Sequence, residues 1–163
     1  MPDQDVRLQL LQSWLEQCLP ALFEREGWGA VPPASLTPAS SDASFRRYFR
    51  VNSAKGSRII MDAPPDKENS QPFVDIAALL HGAGLRAPEV LDWDAAHGFM
   101  LLTDLGTLTM MQLMVSRGDL NPEYSVTGQA LSAPPLELYL GAVDTLIQWQ
   151  LASKPDVLPP YDH

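Results

Sequence analysis

Apolar residues recur every three or four positions over 5–26, where Leu8, Leu11, Leu15, Leu19 and Leu22 mark one stripe of a helix. Asp3 or Asp5 is the candidate N-cap, and Pro20 is expected to break or restart the helix. Trp14 and Trp28 are placed to close over a sheet as core aromatics. A proline-rich connection over 31–38 follows, and then the period drops to two. Phe45, Phe49 and Val51 alternate with Arg46, Tyr48 and Arg50, as in a half-buried strand, while Arg47 falls on the apolar side. Gly56 and two serines in 52–57 turn the chain back. A second strand over 58–61 stops at Pro64 and Pro65, which cannot continue a sheet ladder.

Beyond a polar loop at 66–70, Pro72 suits a first helical turn, and Phe73, Ile76, Ala77 and Leu80 follow at helical spacing until Gly82 and Gly84. Pro88 precedes a third strand at 90–93. A turn at 94–98 leads into the run 99–102, apolar on both faces and therefore expected to be buried. A short helix around 109–115 and a loose polar loop over 116–135 come next. The last helix, 136–152, lines one face with Leu136, Tyr139, Leu140, Val143, Leu146, Ile147 and Leu151. That face is more apolar than an isolated helix needs, so the rest of a second lobe, or a partner, is expected to pack on it.

Charge changes the picture at one place. The 163 residues carry 11 basic against 20 acidic side chains, a net charge of −9, which disfavours nucleic acid and anionic membrane as partners. Five of those 11 cations, Arg46, Arg47, Arg50, Lys55 and Arg58, lie in the hairpin, and no acid occurs between Asp42 and Asp62. A cationic island in an anionic chain suits a bound phosphate chain, because arginine meets phosphate oxygens with two parallel donors. Ser41, Asp42, Ala43 and Ser44 are small enough for backbone N–H groups to approach an anion as a nest. The competing reading is a solvated sheet face kept soluble by its charge. The 15 prolines cluster as punctuation, and Cys18 is the single cysteine, so no intrachain disulfide forms. With an acidic N-terminus and no apolar run near the ~20 residues needed to span a bilayer, the expected compartment is the cytoplasm.

The blocks SDASFRRYFRV, RIIMDAPPDKENS, GLRAPEVL and FMLLTDLG resemble the aminoglycoside/choline phosphotransferase family of kinase-like enzymes. The first two resemble in particular its bacterial branch that phosphorylates the anomeric hydroxyl of N-acetylmuramate and N-acetylglucosamine in cell-wall recycling. The resemblance covers residues 5–163 but only about the first half of such an enzyme. It implies an α+β protein-kinase-like small lobe, an antiparallel sheet plus helices, over 1–102. A hinge over 103–106 and the first helices of an incomplete large lobe over 107–163 would follow. ATP, Mg2+ and an amino sugar are the implied ligands. Carried over by position, Ser41, Asp42, Ala43, Ser44, Phe45 and Arg46 take the nucleotide-loop place, and Tyr48 lies in the strand beneath the adenine. Leu102, Thr103, Asp104 and Leu105 form the hinge, and Asp75 sits in the helix that kinases call αC.

Departures from the pattern matter as much. The loop has no glycine, so a β-carbon limits close approach of phosphates and side chains must contribute. Met61 and Asp62 end the second strand with no lysine at the usual kinase position. Arg46 or Arg47 is expected to supply that charge. Asp75 is the nearest match to the αC glutamate and equally fits an exposed helix residue. None of His81, His97 and His163 begins an H-x-D-x-x-x-x-N catalytic loop, and Asp104-Leu105-Gly106 imitates a metal-binding triplet in the hinge's place. The pair Asp92 and Asp94 has metal-ligand spacing but lies at a strand end where aspartate is common. The catalytic base and the metal ligands are therefore expected outside these residues, and the chain itself is expected to be inactive. Two other readings stay open: a non-enzymatic interaction module or pseudokinase remnant using the 136–151 face, and a kinase for choline, homoserine or an aminoglycoside.

Overall fold

The structure is a computed structural model that describes residues 2–29, 36–41, 45–117, 136–154 and 157. Elements occur in the order α1 (Pro2–Arg25), β1 (Thr37–Ser41), β2 (Arg47–Asn52), β3 (Ser57–Asp62), α2 (Gln71–Gly82), β4 (Val90–Asp94), β5 (Phe99–Thr103), α3 (Met110–Ser116) and α4 (Leu136–Ala152). The strands form one antiparallel sheet in the order β1-β2-β3-β5-β4. The α+β class expected from the sequence holds. The described chain divides into two units. Met1–Leu79 with Ala87–Leu105 makes the first, and Leu80–Arg86 with Gly106–His163 the second.

In the first unit the pleat sorts side chains between two layers. Arg47, Phe49 and Val51 of β2 stand opposite Asp62, Ile60 and Arg58 of β3 and face α1. There the predicted leucine stripe, completed by Phe23, is buried against Val51, Ile60, Phe99 and Leu101. Tyr48, Ile59, Met61, Met100 and Leu102 line the other face, where Phe73 and Val74 of α2 cover part of it. The run 99–102 is buried along its whole length, as its two-sided apolarity requires.

Several local expectations need correction. Pro20 lies inside a continuous α1 and does not break it. It is exposed, so the carbonyl it deprives of a donor turns toward water, while Leu15, Leu19, Leu22 and Phe23 on either side remain packed on the sheet. Asp3 and Asp5 are within α1 rather than ahead of it, with Pro2 at the helix's first position. Phe45 precedes β2 and is 64% exposed, not a core position of the strand. The strand β1 begins inside the stretch expected to be a connection, because Thr37 and Pro38 already pair with Arg50 and Phe49. Pro38 is tolerated on this edge strand, where a missing donor need not break a ladder. The 116–135 loop lies almost wholly outside the described residues.

Cys18 is part of α1, half-buried, and its thiol lies 3.9 Å from the Leu15 carbonyl. Burial, then the charge of Asp92, pushes the thiol up to about 12. At pH 8 its reaction with a disulfide reagent should be slower than that of an unfolded thiol by a factor on the order of a hundred, the lower thiolate fraction being partly offset by a stronger nucleophile. Timed labelling of native and urea-unfolded protein measures that ratio, and a near-equal rate would contradict the burial of Cys18.

In the second unit, Thr109 caps α3 with a reciprocal pair of bonds to Gln112, the capping-box arrangement. Gln148 of α4 donates to the Ala83 carbonyl at 2.7 Å. The predicted apolar stripe of α4 is present, yet none of its described residues is buried. No helix of the described residues is long and apolar enough to cross a membrane.

Candidate nucleotide-binding face

The β2–β3 turn sets the geometry of the hairpin. Ser53 N–H donates to the Gly56 carbonyl at 2.7 Å, and the Ser53 hydroxyl accepts from the N–H groups of Lys55 and Gly56, each at 3.1 Å. The register that follows puts Tyr48 against Met61 and Arg50 against Ile59 on the face away from α1. With Leu102, paired to Ile59 across the next ladder, these residues make an apolar strip. Arg50, Ser57 and Asp104 close one end of it. Asp104 accepts from Arg50 Nε at 2.6 Å, from Arg50 Nη2 at 3.2 Å and from Ser57 Oγ at 2.6 Å. This carboxylate is nearly buried, and the hydrogen bond to it holds the Arg50 guanidinium above its ordinary pKa.

The cationic island is matched residue by residue. Arg46 reaches Glu68 through Nε at 3.2 Å and Nη2 at 3.1 Å, and the Phe45 N–H donates to the same carboxylate at 3.3 Å. Partial burial opposes the Arg46 charge, but Tyr48 and Glu68 outweigh it and raise the pKa. Arg47 and Arg7 both bond Asp62, which is fully buried. Arg58 pairs with Glu26 and stands 3.9 Å over the Trp28 ring, and Lys55 reaches the Gly27 carbonyl. Four acids distant in sequence, Glu26, Asp62, Glu68 and Asp104, thus neutralise much of what looked like a free positive patch.

The predicted site residues divide accordingly. Ser41 ends β1 opposite Arg47. Asp42, Ala43 and Ser44 lie outside the described residues. Arg46, Tyr48, Leu102 and Asp104 belong to the strip or its margins. Arg47 does not, because the pleat sends it to the α1 side. Met61 is buried in the apolar cluster with Met100 and Leu102. Thr103 uses its N–H on the Glu89 carbonyl at 3.0 Å and its hydroxyl on the Glu89 N–H at 2.9 Å. Leu105 is 49% exposed. Asp75 is exposed and accepts from Gln71 at 2.8 Å. Asp94 accepts from His97 Nδ1 at 2.8 Å and from the His97 N–H at 3.0 Å. Among the described residues no three His, Cys, Asp or Glu side chains group to hold a metal ion.

Sequence reasoning missed Arg7, Ser57, Asp62 and Glu68. Asp62 had left a trace: it interrupts the apolar parity of Ile60 just as Arg47 interrupts that of Phe49, and two such interruptions on paired strands are what a buried ion pair looks like in a sequence. Nothing local connects Ser57 or Arg50 with Asp104.

The profile of the phosphotransferase enzyme family matches residues 35–161. The N-acetylmuramate/N-acetylglucosamine kinase of Pseudomonas aeruginosa is 48% identical over 158 residues, which cover 97% of this chain and 42% of that enzyme. Its namesake from Pseudomonas putida is 44% identical over 99% of this chain and 43% of the relative. The one from Neisseria meningitidis serogroup B is 35% identical over 93% and 39%. The chain thus spans about two fifths of the length of the curated relatives it matches. With the match running from β1 into the helices after β5, the chain belongs to the phosphotransferase enzyme family.

Proposed function

We propose that this chain is the nucleotide-binding portion of an ATP-dependent amino-sugar kinase that phosphorylates the anomeric hydroxyl of N-acetylmuramate and N-acetylglucosamine. The observation that carries this reading is 48% identity, along nearly the whole chain, to a relative of that name. The face described above suits the role physically. Tyr48, Ile59 and Leu102 offer an apolar surface for a purine. Arg46 precedes Tyr48 at its other end, where a triphosphate would need positive charge. Phosphoryl transfer depends mainly on positioning and on neutralising developing charge, so a firmly bonded sheet edge is what this part of the enzyme has to supply. The Asp104 network serves that end by tying Asp104, in the proposed hinge, to β2 and β3. Because Arg47 faces α1, Arg46 is the proposed phosphate contact of the two. Mg2+ would supply further positive charge to the triphosphate, with its protein ligands and the catalytic base outside these residues. A peptidoglycan-recycling role in the cytoplasm follows from the same reading.

The 163-residue chain is expected to bind Mg·ATP weakly and to turn over no sugar, whereas the extended protein phosphorylates it. Calorimetry on the chain and a coupled kinase assay on the extended protein check the two statements separately. Arg50→Ala should weaken ATP binding about tenfold by releasing the Asp104 carboxylate, a charge-assisted bond of about 1.5 kcal/mol or more. Unchanged affinity in both Arg46→Ala and Arg50→Ala would remove the nucleotide assignment from this face.

One observation favours a second reading. Leu136, Tyr139, Leu140, Val143, Leu146 and Ile147 leave α4 apolar and exposed, as in an interaction module. In the kinase reading the remainder of the large lobe covers this face. A stable dimer of the chain, dispersed by Leu140→Glu while the extended protein runs as a monomer without kinase activity, would favour the module.

A further inference from the structure

Asp62 is the fully buried carboxylate of the first unit, and the groups around it join three elements. Its Oδ1 accepts from Arg7 of α1, through Nε at 3.2 Å and through Nη2. Its Oδ2 accepts from Arg47 of β2, through Nε at 2.9 Å and through Nη2. Both arginines are further constrained. Arg7 donates to the His97 carbonyl at 2.9 Å and lies 5.2 Å over the Phe99 ring, while Arg47 lies 5.7 Å over Phe49. Arg47 is also the last pair of two ladders, opposite Ser41 of β1 and Asp62 of β3. It therefore stands where the chain enters β2, at the shared end of the β1–β2 and β2–β3 ladders.

A buried carboxylate whose two oxygens each accept from a different guanidinium restricts the rotation of both arginines, and releasing one of them leaves a buried oxygen without its donors. We propose that Arg7 and Asp62 are positioning residues, a clamp through which α1 fixes the β1–β2 end of the sheet for triphosphate recognition. The proposal rests on the nucleotide reading above and adds to it a dependence on a helix whose clamp residue lies on the opposite face. Neither residue needs to touch the nucleotide. The clamp acts on the end of the ladders that bears Ser41, Arg46 and Arg47, and leaves the purine strip at Ile59 and Leu102 in place.

The test compares Mg·ATP with adenosine, which shares the purine and lacks the phosphates, on the 163-residue chain. Arg7→Ala should weaken Mg·ATP by about fivefold and adenosine by less than about twofold, within the range typical of energetic coupling through a packed network. Arg7→Lys, which keeps the charge but not the fork, should recover part of the loss. Leu8→Ala trims α1 packing without touching the clamp and should leave the ratio of the two affinities unchanged. In amide hydrogen exchange, Arg7→Ala should speed the Arg47 and Asp62 amides relative to Val51 and Arg58 at the other end of the same hairpin. Equal weakening of both ligands, or unchanged exchange at the Arg47 end, overturns the clamp. If the unsubstituted chain binds neither ligand, the nucleotide reading fails instead, and the exchange arm still decides whether α1 fixes these strand ends.

Discussion

Gly98→Ala should abolish stable folding of the first unit or lower its melting temperature by about 10 °C, as a loss of about 3 kcal/mol would in a chain of this size. Gly98 closes the β4–β5 turn with φ +73°, and a β-carbon there would stand 1.9 Å from the Ala63 carbonyl oxygen. That oxygen is backbone and cannot rotate away. The Ala63 carbonyl carbon at 3.0 Å and Pro65 Cδ at 3.2 Å crowd the added carbon further. The two segments are bonded as well as touching, through Ala63 N–H to the Gly98 carbonyl at 2.9 Å, while Gly98 N–H closes its own turn on the Asp94 carbonyl at 2.8 Å. A shift large enough to admit a methyl group breaks the exit of β3. Gly27→Ala is the matched comparison, with φ +64° and nothing within 4 Å of the added carbon. It should cost only the conformational penalty, about 1 kcal/mol. Thermal melts of the two variants separate the steric from the torsional effect, and equal losses would refute the clash.

Asp62→Ala is the second large effect, an expected loss of about 3–5 kcal/mol by analogy with other broken buried ion pairs. It leaves the Arg7 and Arg47 guanidiniums, with side chains 24% and 29% exposed, facing a void with no carboxylate between them. Glu68→Ala also removes a carboxylate from an arginine. That pair is nearer solvent, since Arg46 is 28% and Glu68 15% exposed, and its loss should cost about 1 kcal/mol. Urea unfolding of the two variants compares them directly. A loss for Asp62→Ala no larger than that for Glu68→Ala would show the buried triad to be energetically ordinary.

The leucine spacing of α1, the alternation in β2 and the apolar run of β5 were all legible along the chain, because each element buries one face against another and periodicity records which face. The two-sided apolarity of 99–102 marked β5 as buried, and it lies between β3 and β4. Pro20 misled because a rule about helix interiors carries no information on burial. The helix survives where packing on both sides outweighs one missing bond on its solvent side. Phe45 misled for the converse reason, since alternation alone does not say where pairing begins.

The site followed the same division. Residue types and order, SDASFRRYFRV above all, identified the family and located a cluster of cations with no acid nearby in the chain. Sequence by itself determined four of the five strands, which of their sides is greasy, and which family they belong to, because those are properties of neighbours along the backbone. The fifth, β1, is a strand only by virtue of its pairing with β2. Only the tertiary structure decided where the charges go. Folding brings Glu26, Asp62, Glu68 and Asp104 to the arginines across separations of 15 to 54 residues, and the pleat sends Arg47 to α1 while Arg46 and Arg50 stay with Tyr48. Coulombic partnership depends on distance through space, and nothing in the local order of residues encodes it.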